Sequence, residues 1–458
     1  MTKAIDSYPR SKRRLSERIA SHTRCRTAKS RPCPRSTPQT ALAASGMTRL
    51  QLGEFMGIRT LHAVAIVGVS IAGFLWGPSA MAQSGAEATA KEIKIGQTAP
   101  YSGPASAFGL TGRVMRAYFD SVNATGGING RKINFISVDD GYSPAKTVEQ
   151  TRRLVESDEV LAVVGQVGSP TSLSVAKYLN NAKVPQILTA ASTATLSDPE
   201  KFPWTTTFWF SQSVEAGSYA KWVLANKPQA KIAVLYQNDE FGKGYLAAFK
   251  RALGPNAETM IVKQLSYDLS DPTIDSQIVS LKASGADTFF DASTPKFTAQ
   301  AIRRANEIDW KPLHFILSSS SRVSSVLEPA GLSASKGVVT AMFIKTPDDP
   351  KWRDDPDVRV YREWTKRWMP ETNDDDYSVA FGYSLGQMTV ELLRRCGNDL
   401  TRDNLIKQAT NIGGYQLPLF IPGILVKTTP DNRTPWKAVQ MATFTGNSWQ
   451  LTGDLVQP

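Results

Sequence analysis

The sequence predicts an α/β fold of two doubly wound lobes, each a parallel sheet with helices on both faces. Short apolar runs alternate with amphipathic stretches from about residue 91 onward, the pattern of repeated strand–helix units with right-handed crossovers. The run "VLAVVGQ" shows almost no polar alternation, as expected for a parallel strand that is covered on both faces. A second series of such units begins near residue 210, and two series in succession predict two lobes.

The first series alternates four predicted strands with three predicted helices. The strands are, in chain order, "EIKIGQTAP", "INFISVDDGYS", "VLAVVGQ" and "VPQILTA". The helices are "SAFGLTGRVMRAYFDSVNAT", "PAKTVEQTRRLVES" and a segment that begins at about Pro170. The second helix has a proline in its first turn, where the missing backbone N–H would have no intrahelical partner in any case.

The second series contains three predicted strands and four predicted helices. The strands are "KIAVLYQND", "ADTFFDAS" and "PLHFILSSS". The helices are "SVEAGSYAKWVLANK", "EFGKGYLAAFKRAL", "DSQIVSLKASG" and "KFTAQAIRRANEID". After about Pro347 we expect Asp-rich loops, then the helix "DYSVAFGYSLGQMTVELLRRCG", and strand character in "WKAVQMATFTGNSWQL".

The first 82 residues are predicted to lie outside the folded protein. Residues 1–46 contain eleven Lys/Arg and two acidic residues and show no apolar periodicity, so they are interpreted as a non-native upstream extension. Residues 47–82 combine basic residues, the apolar run "AVAIVGVSIAGFLWG" and "PSAMAQ", the pattern of a secretory signal peptide cleaved after Ala82. The alternative, a single transmembrane anchor, is disfavoured because the apolar run is short.

Removal of these segments changes what the composition implies. The whole chain carries a net charge of +12, but residues 83–458 carry only about +2, so the charge gives no support for nucleic-acid binding. One cysteine, Cys396, and one histidine, His314, remain after cleavage. The sequence therefore predicts no internal disulfide, no metal ligands and no cofactor.

Catalytic motifs are missing from the turn "GQVGSPTS", which follows a predicted strand. Pro170 follows Ser169, so the turn does not match the G-x-S-x-G of hydrolases, and His314 is the one histidine that a Ser-His-Asp triad could use. No strand–turn segment matches a P-loop or a dinucleotide fingerprint. The adjacent acids Asp139 and Asp140 point to opposite faces of a strand, which favours turn-making over paired-acid catalysis. We therefore predict no catalytic residues and no enzyme.

The same turn suits ligand binding. Gly168 lets a ligand approach the backbone, and Ser169 and Thr171 offer hydroxyl groups at a helix N-terminus, where the helix dipole favours a carboxylate. The local alternative is that Ser169 only caps the helix, since serine before proline is a common helix start.

Longer stretches of the chain resemble a known family. "IKIGQTAPYSGPASAFGLTG", "VVGQVGSPTSLSVAKYLNNAKVPQI" and "KIAVLYQNDEFGKGYL" together are similar to type I periplasmic solute-binding proteins of the branched-chain amino acid (Leu/Ile/Val) transporter class. The resemblance implies a periplasmic protein with two lobes, 91–209 plus 344–436 and 210–343 plus 437–458, joined by three crossover segments around a ligand cleft. It also implies an ABC permease and ATPase as partners, with the membrane contacted only through the permease.

The resemblance places a ligand site in this cleft. Ser169 matches the serine that binds the ligand carboxylate, and the matching positions around it are Phe108, Ala190, Ser192, Thr193, Phe241 and Thr294. Positions where amino-acid binders carry acids for the ligand ammonium fall here on the neutral Gln212 and Ser319. An ammonium buried without a countercharge is costly, so we expect a ligand with a carboxylate or amide but no amino group, such as an aromatic acid.

Two alternatives stay open at this point. Glu215 or Asp291 could supply the countercharge if the alignment is displaced by a few residues. The aromatic residues Trp204 and 208–210 either bind an apolar ligand body or pack between the lobes.

The predicted function is a solute-binding protein for an ABC importer. The alternative is a periplasmic sensor that uses the same cleft. A secreted α/β hydrolase is disfavoured by the scarcity of histidine.

Overall fold

A computed structural model of the chain describes residues 91–347 and 349–457. The predicted upstream extension (1–46) and signal peptide (47–82) lie outside these described residues. Within the described part of the chain, no helix has both the length and the apolar character needed to cross a membrane.

The first sheet has five parallel strands, which confirm the four predicted strands and add a fifth. The strands are β1 (Glu92–Ala99), β2 (Lys132–Asp139), β3 (Ala162–Val164), β4 (Gln186–Thr189) and β5 (Thr205–Thr207). The helices between them are α1 (Leu110–Ala124), α2 (Pro144–Glu156) and α3 (Ser169–Asn181). The strand order is β2-β1-β3-β4-β5, so successive units extend the sheet on both sides of β1.

Both faces of this sheet are buried. Ile95 and Ala162, neighbours in the register of β1 and β3, pack in the same cluster as Val114 on α1. Val163 points to the opposite face and packs with Leu154 on α2, in a separate cluster. Because alternate residues of β3 are buried on opposite faces, the strand needs apolar residues at every position. This explains the near-absence of polar alternation in its sequence.

The second sheet has seven strands in the order β14-β13-β10-β9-β8-β6-β7. Its parallel strands are β6 (Ile232–Gln237), β7 (Ile261–Tyr267), β8 (Thr288–Ala292), β9 (Leu313–Ile316) and β10 (Val339–Met342). Its helices are α4 (Gln212–Asn226), α5 (Glu240–Leu253), α6 (Ala257–Met260), α7 (Asp275–Ala283), α8 (Pro295–Glu307), α9 (Glu328–Ala330) and α10 (Leu332–Ser335). The prediction missed β7 and β10. β7 lies at the sheet edge with most of its residues exposed or half-buried, so it has no apolar run.

The chain then returns to the first sheet before it completes the second. This segment contains α11 (Pro356–Trp368), α12 (Tyr377–Arg395), α13 (Arg402–Ala409) and the short strands β11 (Gly413–Tyr415) and β12 (Val426–Lys427). The antiparallel strands β13 (Val439–Phe444) and β14 (Trp449–Val456) then complete the second sheet. The expectation of loops after Pro347 was wrong in part, because α11 occupies that region; it is amphipathic and buries Val358 and Tyr361.

Helix α12 packs closely against α1 through two glycines spaced one helical turn apart. A Cβ atom on Gly382 would lie 2.8 Å from Val114 Cβ, and one on Gly386 would lie 2.7 Å from Tyr118 Cδ1. The predicted boundaries of the lobes, 91–209 plus 344–436 and 210–343 plus 437–458, remain a prediction.

Candidate ligand-binding site

A cavity of about 50 Å³ lies at the carboxyl ends of strands from both sheets. This volume is several times the about 10–15 Å³ that one water molecule needs. Residues that follow β1 to β5 contribute to one side, residues that follow β6 and β9 contribute to another, and α12 completes the wall. In open α/β sheets, the carboxyl ends of strands are where ligands bind.

The predicted turn after β3 has a backbone that only glycine suits. Gly168 has φ +103°, and a Cβ atom there would lie 2.6 Å from both Thr171 Oγ1 and Tyr142 Cε2. The turn is held by Gly168 N–H, which donates to Ala190 O at 3.1 Å, and by Thr171 Oγ1, which donates to Val167 O at 2.5 Å. Together these bonds place the first turn of α3 at the cavity.

Ser169 is the first residue of α3, and its side chain does not cap the helix. Gly168 occupies the N-cap position, and no side-chain cap hydrogen bond is formed. Ser169 is 1% exposed, lines the cavity, and has an Oγ with no hydrogen-bond partner among the described residues. The capping alternative is therefore wrong, and the hydroxyl is available to a ligand beside the N–H groups of the first helical turn.

A second turn, after β4, lies beside the first. Ala190 and Ser192 line the cavity, and Ala190 N–H donates to Gln166 O at 2.8 Å. The Ser192 carbonyl accepts a hydrogen bond from Gln212 N–H at 2.9 Å, while Ser192 Oγ has no partner in the described part of the chain. Two serine hydroxyls that follow neighbouring strands are thus both unpaired in one cavity.

The two acids at the carboxyl end of β2 shape the turn that presents Tyr142 to the cavity. Asp139 accepts from Tyr101 N–H at 2.8 Å and Gly141 N–H at 3.0 Å, and Asp140 accepts from Tyr142 N–H at 2.9 Å. Burial raises the pKa of Asp140. These contacts confirm that the acid pair makes the turn.

Arg322, which the prediction did not single out, lines the cavity and is 4% exposed. Its guanidinium lies over the ring of Phe108, 5.0 Å from the ring centroid, and Nη1 donates to Ala107 O at 2.5 Å. Its Nε has no partner among the described residues. Burial lowers the pKa of Arg322, but arginine in proteins stays protonated. The cavity therefore holds a buried positive charge.

Helix α12 contributes its first turn to the cavity. Tyr377, Ser378 and Phe381 line it, and the Asp376 side chain caps the helix by accepting from Ser378 N–H at 2.7 Å. The hydroxyls of Tyr377 and Ser378 are buried and unpaired among the residues described. Burial raises the pKa of Tyr377 well above its usual value, so the phenol stays protonated.

Of the aromatic residues predicted near the end of the first series, one reaches the cavity. Trp209 lines it and packs against Phe381, with ring centroids 4.7 Å apart. Phe208 and Phe210 instead pack against Trp436, with centroids 5.3 Å and 6.2 Å from its ring. These two phenylalanines therefore pack in the protein core and do not line the cavity, whereas Trp209 is available to a ligand; whether the phenylalanines pack between the predicted lobes stays a prediction.

The structure brings six of the nine predicted site residues to this cavity: Phe108, Ser169, Ala190, Ser192, Phe241 and Ser319. The remaining three lie close to it but do not line it. Gln212 Nε2 donates to Phe241 O at 2.9 Å, and the Thr193 hydroxyl accepts from Thr195 N–H. The Thr294 hydroxyl bonds Gln237 Oε1 at 3.1 Å. Gln212 and Thr193 thus bond backbone groups, whereas Thr294 bonds a side chain that does not line the cavity.

Neither alternative countercharge lines the cavity. Glu215 is fully buried and accepts from Ser318 N–H at 2.6 Å, Tyr245 OH at 2.6 Å and Tyr219 OH at 3.0 Å. Burial raises the pKa of Glu215. Asp291 Oδ2 lies 3.4 Å from His314 Nε2 on the neighbouring strand. Glu215 is thus occupied by protein groups, whereas Asp291 Oδ1 is buried without a hydrogen-bond partner among the described residues, but Asp291 does not line the cavity.

The residues that the prediction missed come from two sources. Arg322 ends the run "SSSSR" in the loop that follows β9, so a cation in a loop after a strand was a usable signal. Tyr377, Ser378 and Phe381 lie on a helix distant in sequence from every strand end that lines the cavity. No local pattern marks that helix turn as part of a site.

A cavity with unpaired polar groups at the carboxyl ends of strands from two α/β sheets defines a two-lobed ligand-binding protein. The chain belongs to the periplasmic binding protein family, whose model matches residues 92–447. It has the type I fold of that family, so the predicted fold class is confirmed, and its sequence is similar to that of a Leu/Ile/Val-binding protein homolog of Brucella abortus, with 25% identity over 245 residues.

Among curated relatives, the chain is similar to an amino acid binding protein of Pseudomonas aeruginosa, with 27% identity over 227 residues. That match covers 47% of this chain and 58% of the relative, so the chain spans little more than half the length of the curated relatives it matches. Among solved structures, a branched-chain amino acid ABC transporter protein from Thermus thermophilus with bound valine has a TM-score of 0.72 and 16% identity, covering 80% of this chain and 97% of that one.

A fatty acid ABC transporter substrate-binding protein from Thermomonospora curvata is also similar in structure. Its TM-score is 0.68 at 21% identity, and the match covers 81% of this chain and 94% of that one. At these identities, the solved structures establish the fold alone.

Proposed function

We propose that the protein is a periplasmic solute-binding protein that captures a small carboxylate- or amide-bearing ligand by cleft closure and delivers it to an ABC importer. One observation carries this proposal: a single cavity gathers buried polar atoms that have no protein partner, from loops of both sheets. An unpaired buried polar group costs free energy, and a ligand that supplies the missing partners recovers it. The proposed ligand contacts are Phe108, Ser169, Ala190, Ser192, Phe241 and Ser319.

The chemistry of the turn after β3 supports the carboxylate or amide. The Ser169 hydroxyl and the first N–H groups of α3 are donors, and the positive end of the helix dipole favours an anion. Ser192 adds a second hydroxyl from the next strand end. No acidic side chain lines this cavity within the described residues, so a ligand ammonium would meet no countercharge there.

The similar proteins support a carrier function. Two of them are named as ABC transporter proteins, one with bound valine and one for fatty acids, and a fatty acid carries a carboxylate without an amino group. Partners of this chain would then be an ABC permease and ATPase, with no direct contact with the membrane. A sensor that signals from the same cleft would bind the ligand equally well but would not support its uptake.

A thermal-shift screen tests this proposal. The protein, produced from the full 458-residue sequence, is melted with amino acids, aromatic acids, dicarboxylates and amides. A ligand at a hundredfold excess over its Kd stabilises the folded state by about 2.7 kcal/mol. A concentration-dependent rise in Tm with one ligand class supports the proposal, and no rise with any class refutes it. Loss of uptake of that ligand in cells that lack the gene separates the importer from the sensor.

A further inference from the structure

We infer that Arg322 selects the ligand by charge, so that the site takes small organic acids that carry a carboxylate and no amino group. This inference rests on the proposed function and names its substrate class. It depends on the position of one buried cation and on the charges that surround it.

The guanidinium of Arg322 is fixed in place and incompletely paired. Its stacking on Phe108 at 5.0 Å and the hydrogen bond from Nη1 to Ala107 O orient the planar group. Nε remains without a partner among the described residues, although the side chain is 4% exposed and lines the cavity. A fixed, planar guanidinium with free donors matches the geometry of a carboxylate.

The nearby carboxylates are bound to other groups. Asp376 is the acid that interacts electrostatically with Arg322, but it accepts from Ser378 N–H at 2.7 Å and Ser324 Oγ at 2.7 Å. Asp239 caps α5, accepting from Phe241 N–H at 3.0 Å. In residues 91–347 and 349–457, no carboxylate forms an ion pair with Arg322, whose only protein acceptor is a backbone carbonyl. The Arg322 guanidinium therefore has no anionic hydrogen-bond partner among the described residues, and a bound anion would supply one.

Two helix N-termini lie at the cavity, and the Asp376 carboxylate caps that of α12, which offsets its dipole. Ser169 opens α3 and Tyr377 opens α12, and both residues line the cavity. Each helix end carries the positive half of its dipole. Arg322 is the one charged residue among the described side chains that line the cavity. Arg322 and the N-terminus of α3, which has no side-chain cap, therefore favour an anionic ligand and oppose an additional ammonium.

Matched ligands test the inference directly. Leucine, 4-methylpentanoate and 4-methylpentanamide share one carbon skeleton and differ in the amino group and the charge. Phenylalanine, 3-phenylpropanoate and 3-phenylpropanamide form the same series with an aromatic body. Calorimetric titration of the wild-type protein should give tighter binding of the acid than of the amide and the amino acid, by about tenfold or more in at least one series.

Substitutions of Arg322 test whether this residue causes the preference for the acid over the amide. Arg322→Gln should abolish the preference for the acid over the amide, and Arg322→Lys should retain part of it, because lysine keeps the charge but loses the planar fork. Arg402→Gln is the matched control. The Arg402 guanidinium also donates to a backbone carbonyl, Val160 O at 3.0 Å, and also has an unpaired Nε, but it does not line the cavity. Its replacement should leave all Kd values unchanged.

The outcomes separate this inference from the proposed function. If leucine or phenylalanine binds more tightly than its desamino acid, Arg322 does not select by charge, while the solute-binding function stands. If acids bind Arg322→Gln as tightly as the wild-type protein, the inference also falls. If no ligand of either series or of the thermal-shift screen binds, both proposals fail.

Discussion

Replacement of Ser169 by alanine provides a sharp test of the proposed site. Ser169 Oγ is buried in the cavity and forms no hydrogen bond with a described residue, so its removal breaks no protein hydrogen bond. A hydrogen bond to a charged group contributes about 1.5–3 kcal/mol, which corresponds to about a 10- to 150-fold rise in Kd for a bound carboxylate. We expect the free energy of unfolding without ligand to be unchanged.

Ser172 provides a matched control within the same helix. Its hydroxyl is also buried and unpaired, in the part of the chain that the structure describes, but it does not line the cavity. Ser172→Ala should therefore leave the Kd of the ligand found in the thermal-shift screen unchanged. Titration calorimetry measures the Kd of both variants, and urea denaturation measures their stability.

Two results would refute the reasoning. Equal Kd values for Ser169→Ala and the wild-type protein would show that Ser169 makes no bond to the ligand. A similar loss of affinity in Ser169→Ala and Ser172→Ala would show that both substitutions act through the packing of α3, and the hydroxyl would then have no specific role.

Further predictions concern backbone conformation and pH. Gly168→Ala should lower the free energy of unfolding, measured by urea denaturation, more than Gly126→Ala does. Both glycines have φ above +100°, but only at Gly168 would the new Cβ atom lie 2.6 Å from its neighbours. Equal decreases in the free energy of unfolding would show that these close contacts do not matter. Burial raises the pKa of Glu215 above its ordinary value of 4.5, so the native state binds the proton of this group more tightly than the unfolded state does. The contribution of Glu215 to the free energy of unfolding therefore falls as the pH rises from 4.5 through the folded-state pKa. Glu215→Gln should remove that fall in urea titrations at several pH values, and an unchanged pH slope would contradict the assignment.

The central strands and helices could be predicted because the pattern of apolar residues within each segment reflects which of its faces are buried. β3 is apolar at every position since both of its faces are covered, and α1 has an apolar stripe since one of its faces packs on the sheet. β7 could not be predicted because an edge strand buries few of its residues. α11 was missed because most of its residues are polar or charged, so the narrow buried stripe that includes Val358 and Tyr361 gives only a weak apolar pattern.

Some residues of the candidate site could likewise be predicted from the sequence, and the side-chain direction of others could not. Ser169 and Ser192 could be predicted because each follows a buried strand, and the carboxyl ends of parallel strands share one edge of a sheet. Gln212 and Thr294 were placed by alignment, yet their side chains bond Phe241 O and Gln237 Oε1 beside the cavity. A one-dimensional alignment gives the position of a residue in an element but not the direction of its side chain.

The sequence by itself determined the two α/β sheets, the glycine turn that opens α3 and the hydroxyl at its start, because periodicity and turn chemistry act over a few residues. Only the tertiary structure decided that the guanidinium of Arg322 and the first turn of α12 share a cavity with Ser169. These groups come from distant parts of the chain, and their meeting depends on how the loops of two sheets face each other. The charge of the cavity, and with it the kind of ligand we propose, therefore follows from long-range packing.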